Sequence, residues 1–173
     1  HGIWLHGTPS NTYSRPPRAS NGCVVLSNED MTHLGKNLQI GVTPVIITNQ
    51  MDWSDETDRN DRDALLKSIE QWRSDWESRD NNAYLAHYAS DFATGKVTLP
   101  AFVQQKRVVN SGKTWIKIKM LNVSIFPYPS QPDLGEVNFD QDYDSNNLSN
   151  RMHKRQYWMK RDGRWQIVYE GSA

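Results

Sequence analysis

The sequence predicts an α+β fold, because a helical pattern in its middle is followed by a strand-rich pattern that continues to its end. The helical pattern is a single apolar stripe, formed by Leu65, Ile69, Trp72 and Trp76. From Lys113 onward, β-branched and aromatic residues dominate. The dipeptide Asp162-Gly163 in this region is typical of a tight hairpin. Helices followed by an antiparallel meander define the α+β class.

Composition is that of an ordinary globular protein, with 36% hydrophobic and 23% charged residues in 173. The 20 basic and 20 acidic residues cancel, which argues against nucleic acid as the main partner. The charge is uneven, since residues 51–94 hold 11 acidic and 5 basic residues and residues 95–173 hold 7 and 12. These regions are two solvated faces, or the basic one lines a groove for an acidic polymer. No apolar run approaches the roughly 20 residues of a membrane span.

The first 50 residues predict a unit in which two apolar runs flank a long loop. The runs are Gly2–Leu5 and Cys23–Leu26, and residues 7–22 between them are rich in Gly, Pro, Ser, Thr and Asn. Ser27 is a predicted helix N-cap, with Asp30 in the first turn, and the helix is expected to stop near Gly35.

A second unit is predicted after a further strand and a linker. Residues 43–48 are mostly β-branched and predict the strand, and the polar, acidic residues 51–62 predict the linker. Over residues 63–173, helices are predicted at 63–79, 82–88 and 99–110. Strands are predicted at 115–126 (with a bulge), 137–143, 156–159 and 165–169.

Cys23 is the single cysteine, so an internal disulfide and a multi-cysteine metal site are both excluded. A lone cysteine is more often an inert core residue than a nucleophile, but its neighbours favour the reactive alternative. His6 ends one apolar run and Cys23 begins the next, so pairing of the two strands would bring imidazole and thiol together. An imidazole favours the thiolate and later protonates the leaving amine.

Glycine at position 22 lets a substrate approach the backbone. The amides of Gly22 and Cys23 would then donate to a developing oxyanion. The approach to the thiol would be lined by Ser20, Asn21 and Arg18.

Over about residues 1–50, the chain resembles the L,D-transpeptidase catalytic domain (YkuD type). The signature of that domain is similar to the order found here, in which His6 is followed by a loop and then by Ser20-Asn21-Gly22-Cys23. The resemblance implies that Cys23 is the nucleophile, that His6 is its base and that the Gly7 carbonyl orients the imidazole. It also implies that the oxyanion amides come from Asn21, Gly22 and Cys23.

Two positions depart from this family. It usually has histidine where this chain has Asn21, and many members have Arg or Asn where this chain has Val25. The second departure leaves recognition of a substrate carboxylate to Arg18 or Arg15. The strands that precede the histidine in such a domain are expected to be missing here, which would leave an incomplete, inactive fragment.

By the same resemblance, the substrate would be the stem tetrapeptide of peptidoglycan, from which terminal D-alanine is released, in the periplasm or cell envelope. No cofactor is implied. Transpeptidation and carboxypeptidation stay open, as does the oligomeric state.

Residues 63–173 resemble the nuclear-transport-factor-2-like (SnoaL-like) domain, in the order of elements and in the closing run from Gly163 to Gly171. The resemblance implies a cone, in which a curved antiparallel sheet wraps around helices to form a pocket. It supports an alternative function, a non-catalytic ligand-binding module with a remnant of the catalytic domain. Either the pocket or a buried sheet face would contain Trp115, Tyr157, Trp158, Trp165 and Tyr169.

The remaining polar and aromatic residues predict structure rather than a site. Trp72 and Trp76 are predicted to pack in the core, with sugar stacking as the alternative. No metal site is predicted, because the five histidines lack metal-ligand spacing. Solvent-facing positions are predicted for Asp140, Asp142, Asp144, Arg151, Lys154 and Arg155.

Overall fold

A computed structural model describes residues 3–9, 20–39, 43–49, 56–128 and 131–172. The chain divides into two compact units, His1–Val45 and Ile46–Ala173. Helix and antiparallel sheet occupy separate stretches of the second unit, which confirms the predicted α+β class.

Two short parallel strands form the sheet of the first unit: β1, Leu5–His6, and β2, Val24–Val25. The Val24 amide donates to the carbonyl oxygen of Trp4 at 2.9 Å, and the Leu26 amide donates to that of His6 at 3.0 Å. The predicted side-by-side pairing of the two apolar runs is therefore confirmed.

Helix α1, Asn28–Gly35, follows β2 and begins at the predicted cap. The Asp30 amide donates to Ser27 Oγ at 3.0 Å, and the Ser27 hydroxyl donates to the Asp30 carboxylate at 2.7 Å. This reciprocal contact satisfies one of the free amides of the first turn.

Residues 43–48 form no strand, which corrects the prediction. A strand needs a partner for its backbone hydrogen bonds, and Pro44 lacks an N–H to donate. The Thr43 amide instead donates to the Gln39 carbonyl oxygen at 2.9 Å. Val45, Ile46 and Ile47 are 50% to 61% exposed, so burial does not organise this segment either.

Three helices belong to the second unit: α2, Glu56–Ser78; α3, Asn81–Leu85; and α4, Leu99–Ser111. The first begins seven residues before the predicted start, so residues 56–62 of the predicted linker are helical. No helix in the described ranges is long and apolar enough to cross a membrane.

Six strands follow α3 in the second unit: β3, Ala93–Thr94; β4, Val97–Thr98; β5, Ile116–Tyr128; β6, Gln131–Ser145; β7, Leu148–Arg161; and β8, Arg164–Ser172. The last four form one antiparallel sheet in chain order. The register shifts between Leu121 and Ser124, where Asn122 has φ +54°, so the predicted bulge is confirmed. Asp162-Gly163 turns the last hairpin as predicted.

Aromatic side chains dominate the core between the helices and the inner face of this sheet. Trp72 is fully buried and Trp76 nearly so, as predicted. The other buried rings are Tyr84, Tyr88, Phe92, Phe102, Phe139, Tyr143, Trp158 and Trp165. Gly135 lets α2 approach the sheet, because a Cβ there would lie 2.8 Å from Leu65 Cδ2. The close packing of α2 on the sheet therefore fixes how near its side chains come to the inner face of the sheet.

Candidate functional site

His6 is the last residue of β1, and Cys23 immediately precedes β2, its parallel partner. The parallel register aligns Leu5 with Val24 and His6 with Val25. Side chains alternate along a strand, so Cys23, two residues before Val25, shares the face of Val25 and His6. The thiol is free and partly exposed, and the His6 side chain is exposed. From this register, we expect the imidazole and the thiol to face the same side of the pair.

The His6 ring is held by its neighbour in the chain. His6 Nδ1 lies 2.7 Å from the Gly7 carbonyl oxygen, the contact that the resemblance implied. A carbonyl oxygen accepts only, so Nδ1 carries the hydrogen. In a neutral ring, Nε2 then keeps a lone pair with which to accept a proton.

A tight turn leads into Cys23. The Ser20 hydroxyl donates to the Cys23 carbonyl oxygen at 2.6 Å and closes this turn. Gly22 has φ +96°, a conformation that glycine adopts and other residues avoid. No atom lies within 4 Å of a Cβ built there, so the backbone conformation requires glycine and the surface beside it is open.

The other predicted residues of this site differ in how they are placed. Asn21 is exposed in the turn, whereas Arg18 and Arg15 lie outside the described residues. Gly7 packs against α1 so closely that a Cβ would overlap the Asn28 side chain. Val25 is aligned with His6 in the register, so an apolar side chain lies where the resemblance implied Arg or Asn.

A second group of polar side chains lies on the inner face of the large sheet and was not predicted. We call it the inner polar cluster, and it comprises Glu170, Lys154, Gln156, Tyr88 and Lys106. Glu170 is 5% exposed and accepts three hydrogen bonds. They come from Gln156 Nε2 at 2.8 Å, Lys154 Nζ at 3.0 Å and the Tyr88 hydroxyl at 3.1 Å.

The prediction that Lys154 faces solvent is wrong, since only 12% of its side chain is exposed. The predicted strand began at Gln156, but β7 begins at Leu148. Alternation along this longer strand puts Lys154 on the inner face, together with Gln156, and leaves Arg151 and Arg155 outside.

Two opposing effects set the charge of Glu170. Burial raises the pKa of its carboxyl, but the charges of Lys154 and Lys106 and the hydrogen bonds from Gln156 and Lys154 lower it to about 2. Glu170 is therefore an anion at neutral pH. Burial also raises the pKa of Tyr84 and of Tyr88, so both phenols are neutral.

These phenols connect the carboxylate to α2. The Tyr84 and Tyr88 hydroxyls are 2.9 Å apart, and Trp72 Nε1 donates to the Tyr88 hydroxyl at 3.2 Å. Since the single hydroxyl proton of Tyr88 goes to Glu170, Tyr84 donates to Tyr88. The chain of hydrogen bonds runs in one direction, toward Glu170.

Lys106 extends from α4 over two aromatic rings. Its Nζ lies 4.8 Å from the ring centroid of Trp76 and 5.0 Å from that of Phe102, within cation–π range. Burial lowers the pKa of Lys106, and the Glu170 charge opposes that effect. Its spacing of four residues from the buried Phe102 was the sequence signal that placed it on the inward face of a helix.

Histidine pairs with carboxylates at two other places in the second unit. His87 Nε2 lies 2.7 Å from Asp75 Oδ2, and His153 Nδ1 lies 2.8 Å from Asp140 Oδ1. Within the ranges that the structure covers, no group of three or more His, Cys, Asp or Glu residues is arranged to hold a metal ion.

Two family models match the chain. Residues 64–171 match the Cds6 C-terminal NTF2-like domain, and residues 1–47 match the L,D-transpeptidase catalytic domain. Both resemblances drawn from the sequence are thereby confirmed. No curated protein sequence matches the chain.

Solved structures match across both units. Bd1075 of Bdellovibrio bacteriovorus is 26% identical, with a TM-score of 0.77, over 100% of this chain and 61% of its own. The helical cell shape determining protein Pgp2 of Campylobacter jejuni is 25% identical, with a TM-score of 0.70, over 98% of this chain and 60% of its own. An NTF2-like protein of Pseudomonas putida matches in fold over 65% of this chain and 84% of its own, at 15% identity and a TM-score of 0.56. The chain thus spans about three fifths of the two relatives that it matches throughout.

Proposed function

The chain belongs to the Cds6 C-terminal NTF2-like domain family, and on that premise we propose that its protein is a peptidoglycan-modifying L,D-transpeptidase or L,D-carboxypeptidase. Cys23 is the nucleophile of this proposal and His6 its base. The match of residues 1–47 to the catalytic domain supports the reaction class, and the cell shape role named for Pgp2 supports the cell envelope as the place of action.

The proposed reaction is acyl transfer through a thioester. His6 Nε2 takes the thiol proton, and the Cys23 sulfur attacks the carbonyl carbon between the third and fourth residues of a stem tetrapeptide. The C–N bond breaks, the proton passes from His6 to the leaving amine, and D-alanine departs. An amine then takes the acyl group to form a cross-link, or water releases it as a free acid.

The observation that carries this proposal is the hydrogen bond from His6 Nδ1 to the Gly7 carbonyl oxygen. It fixes the tautomer in which Nε2 is the basic nitrogen and holds the ring plane. The turn at Gly22 supports an oxyanion site, because the surface beside its backbone is open. The amides of Asn21, Gly22 and Cys23 would donate there to the oxyanion that develops on the substrate.

Release of D-alanine from a stem tetrapeptide by the full-length protein tests this function. Cys23→Ala is expected to abolish release, and His6→Gln to slow it by about 10²- to 10⁴-fold, the usual contribution of a general base. His33→Gln, an exposed position on α1, is the matched control and is expected to leave the rate unchanged. Undiminished release by the Cys23→Ala protein would rule the proposal out.

A second function is favoured by the inner polar cluster: this cluster holds a peptide or glycan ligand. A buried carboxylate with two lysines and a glutamine nearby is a costly arrangement for a purely structural core. Polar side chains that point to one place between aromatic side chains are typical of ligand sites.

Calorimetric binding of a stem tripeptide separates the second function from the first. The Cys23→Ala protein is expected to bind the tripeptide as tightly as the wild type. Glu170→Gln is expected to weaken binding, because it releases Lys154 from its partner and changes the charge of the cluster. Equal binding by wild type and Glu170→Gln would remove the cluster from ligand recognition.

A further inference from the structure

The two lysines of the inner polar cluster are in different situations. Lys154 Nζ donates to Glu170 at 3.0 Å and forms an ion pair with it. Lys106 Nζ has no hydrogen-bond acceptor among the described residues and rests on the rings of Trp76 and Phe102. One cation is therefore neutralised within the fold, and the other lacks a counter-ion in direct contact.

Four buried polar side-chain atoms also lack a partner in the part of the chain that the structure covers, and besides His153 Nε2 and Trp165 Nε1 they include two that bear on Lys106. These two are Trp76 Nε1, a donor, and Gln141 Oε1, an acceptor, and their side chains are 5% and 3% exposed. Buried polar atoms without a hydrogen bond cost about 1–3 kcal/mol each, and native proteins contain few of them. The orphaned donor belongs to the ring on which the partnerless Lys106 rests, and the orphaned acceptor belongs to the inner face of β6, so a ligand at Lys106 would have both groups to satisfy.

The strand register brings these groups to one region. Gln141 and Tyr143 project to the same inner face of β6, and the Tyr143 ring lies 5.5 Å from the Trp76 ring, which is the ring that Lys106 Nζ rests on. Gln141 pairs with Met152 on β7, one inner-face position from Lys154. The side chains of Lys106 and Met152 are partly exposed, so solvent reaches this region.

The chemistry that completes this arrangement is a carboxylate with a neighbouring N–H. A carboxylate accepts from the Lys106 ammonium and from Trp76 Nε1, and an adjacent amide N–H donates to Gln141 Oε1. Lys106, Lys154 and Glu170 together carry a charge of +1, which one carboxylate neutralises. Burial lowers the pKa of Lys106, and an anion in contact would offset that effect.

We propose that Lys106 is the specificity-determining residue of the inner polar cluster and selects peptides with a free carboxylate over the same peptides with a carboxamide. This inference rests on the second function proposed above, ligand binding by the cluster. Lys154 and Glu170 then form the fixed floor of the site, and Lys106 is the side chain that reads the charge of the ligand.

Calorimetry with two probes tests the inference on the full chain: a stem tripeptide that ends in a carboxylate, and the same tripeptide that ends in a carboxamide. The wild type is expected to bind the carboxylate form at least about tenfold more tightly, which corresponds to about 1.4 kcal/mol. Lys106→Met is expected to bind both forms equally, and Lys106→Arg to retain the preference. Lys119→Met, at an exposed position on β5, is the control with the wild-type preference.

Each outcome has a distinct meaning. A preference that survives in Lys106→Met overturns the inference, as does a wild type that binds both probes equally; in both cases ligand binding by the cluster still stands. A wild type that binds neither probe removes the second proposed function and this inference with it. The wild-type comparison needs no variant, so equal binding of the two probes overturns the inference even where Lys106→Met fails to fold.

Discussion

Glu170 illustrates, at the scale of single residues, how burial and charge compete. The carboxyl is almost inaccessible to water, which favours its neutral form, yet two lysines and a glutamine hold it ionised. The sequence around it, an alternating strand that ends in Glu-Gly, gives no sign of this, because the neighbours of Glu170 come from β7, from the segment after α3 and from α4. The three-dimensional environment alone makes this residue a stabilising anion.

Stability below pH 5 is expected to depend on Glu170. Its pKa in the folded protein, about 2, is lower than the ordinary value of 4.5, so its contribution is present above the ordinary pKa and is lost as pH falls toward 2. A shift of this size corresponds to on the order of 3 kcal/mol. Denaturant unfolding of Glu170→Gln between pH 7 and about pH 2 is expected to show a flatter loss of stability than the wild type. Asp63→Asn, at an exposed position, is the control, and an unchanged pH slope in Glu170→Gln would contradict the prediction.

Helix α2 does more, at the scale of elements, than bury its apolar stripe. Glu77 Oε1 accepts from the Ile118 amide at 2.6 Å, and Arg73 donates to the Ile118 carbonyl oxygen at 3.5 Å. The outward backbone groups of β5, an edge strand, are therefore satisfied at this point by side chains of a helix. Edge strands with free backbone groups pair with other chains, and α2 covers this edge.

Removal of this cover is expected to destabilise the sheet. Glu77→Ala leaves the Ile118 amide without an acceptor in a partly buried position, which costs about 1–3 kcal/mol. Glu70→Ala is the matched control, because Glu70 also pairs with Arg73 but is 63% exposed, and it is expected to cost less than about 0.5 kcal/mol. Chemical denaturation measures the stability of both variants. Equal losses of stability would mean that the contact of Glu77 with β5 does not stabilise the sheet.

The two units differ, at the scale of the whole molecule, in how much they bury. In the described ranges, every buried side chain belongs to the second unit, and every side chain of the first unit is at least partly exposed. Ile3 and Trp4 of the first unit are 66% and 70% exposed. Hydrophobic burial is the main favourable term in folding, so the second unit supplies the stability that unfolding measures.

A chain of residues 56–173 is accordingly expected to melt within a few degrees of the 173-residue chain. The thermal midpoint by circular dichroism measures this, since removal of the first unit takes away no buried side chain of the described ranges. The far-ultraviolet signal is the probe, because it reports the helices and the sheet of the second unit directly. A midpoint lowered by tens of degrees would show that the first unit stabilises the second.

Local sequence patterns were sufficient to predict several elements, and they named the residues of one candidate site. Periodicity predicted α2 and α4, the bulge of β5 and the hairpin at Asp162-Gly163, since each depends on neighbours in the chain. The motif around Cys23 named residues that lie in or beside the β1–β2 pair, although their catalytic roles stay a prediction. Strand ends were predicted poorly, because polar residues inside long strands hide the alternation, as at Lys154.

By itself, the sequence determined the class of the fold and the two families, and it predicted the nucleophile–base pair of the proposed enzyme, because these follow from periodicity and from residues a short distance apart. Only the tertiary structure decided which polar side chains meet inside the second unit. Glu170, Lys154 and Lys106 come from three elements, and their distances depend on sheet register and on helix packing rather than on spacing in the chain. Charges buried together are fixed by long-range geometry, and no local pattern encodes that geometry.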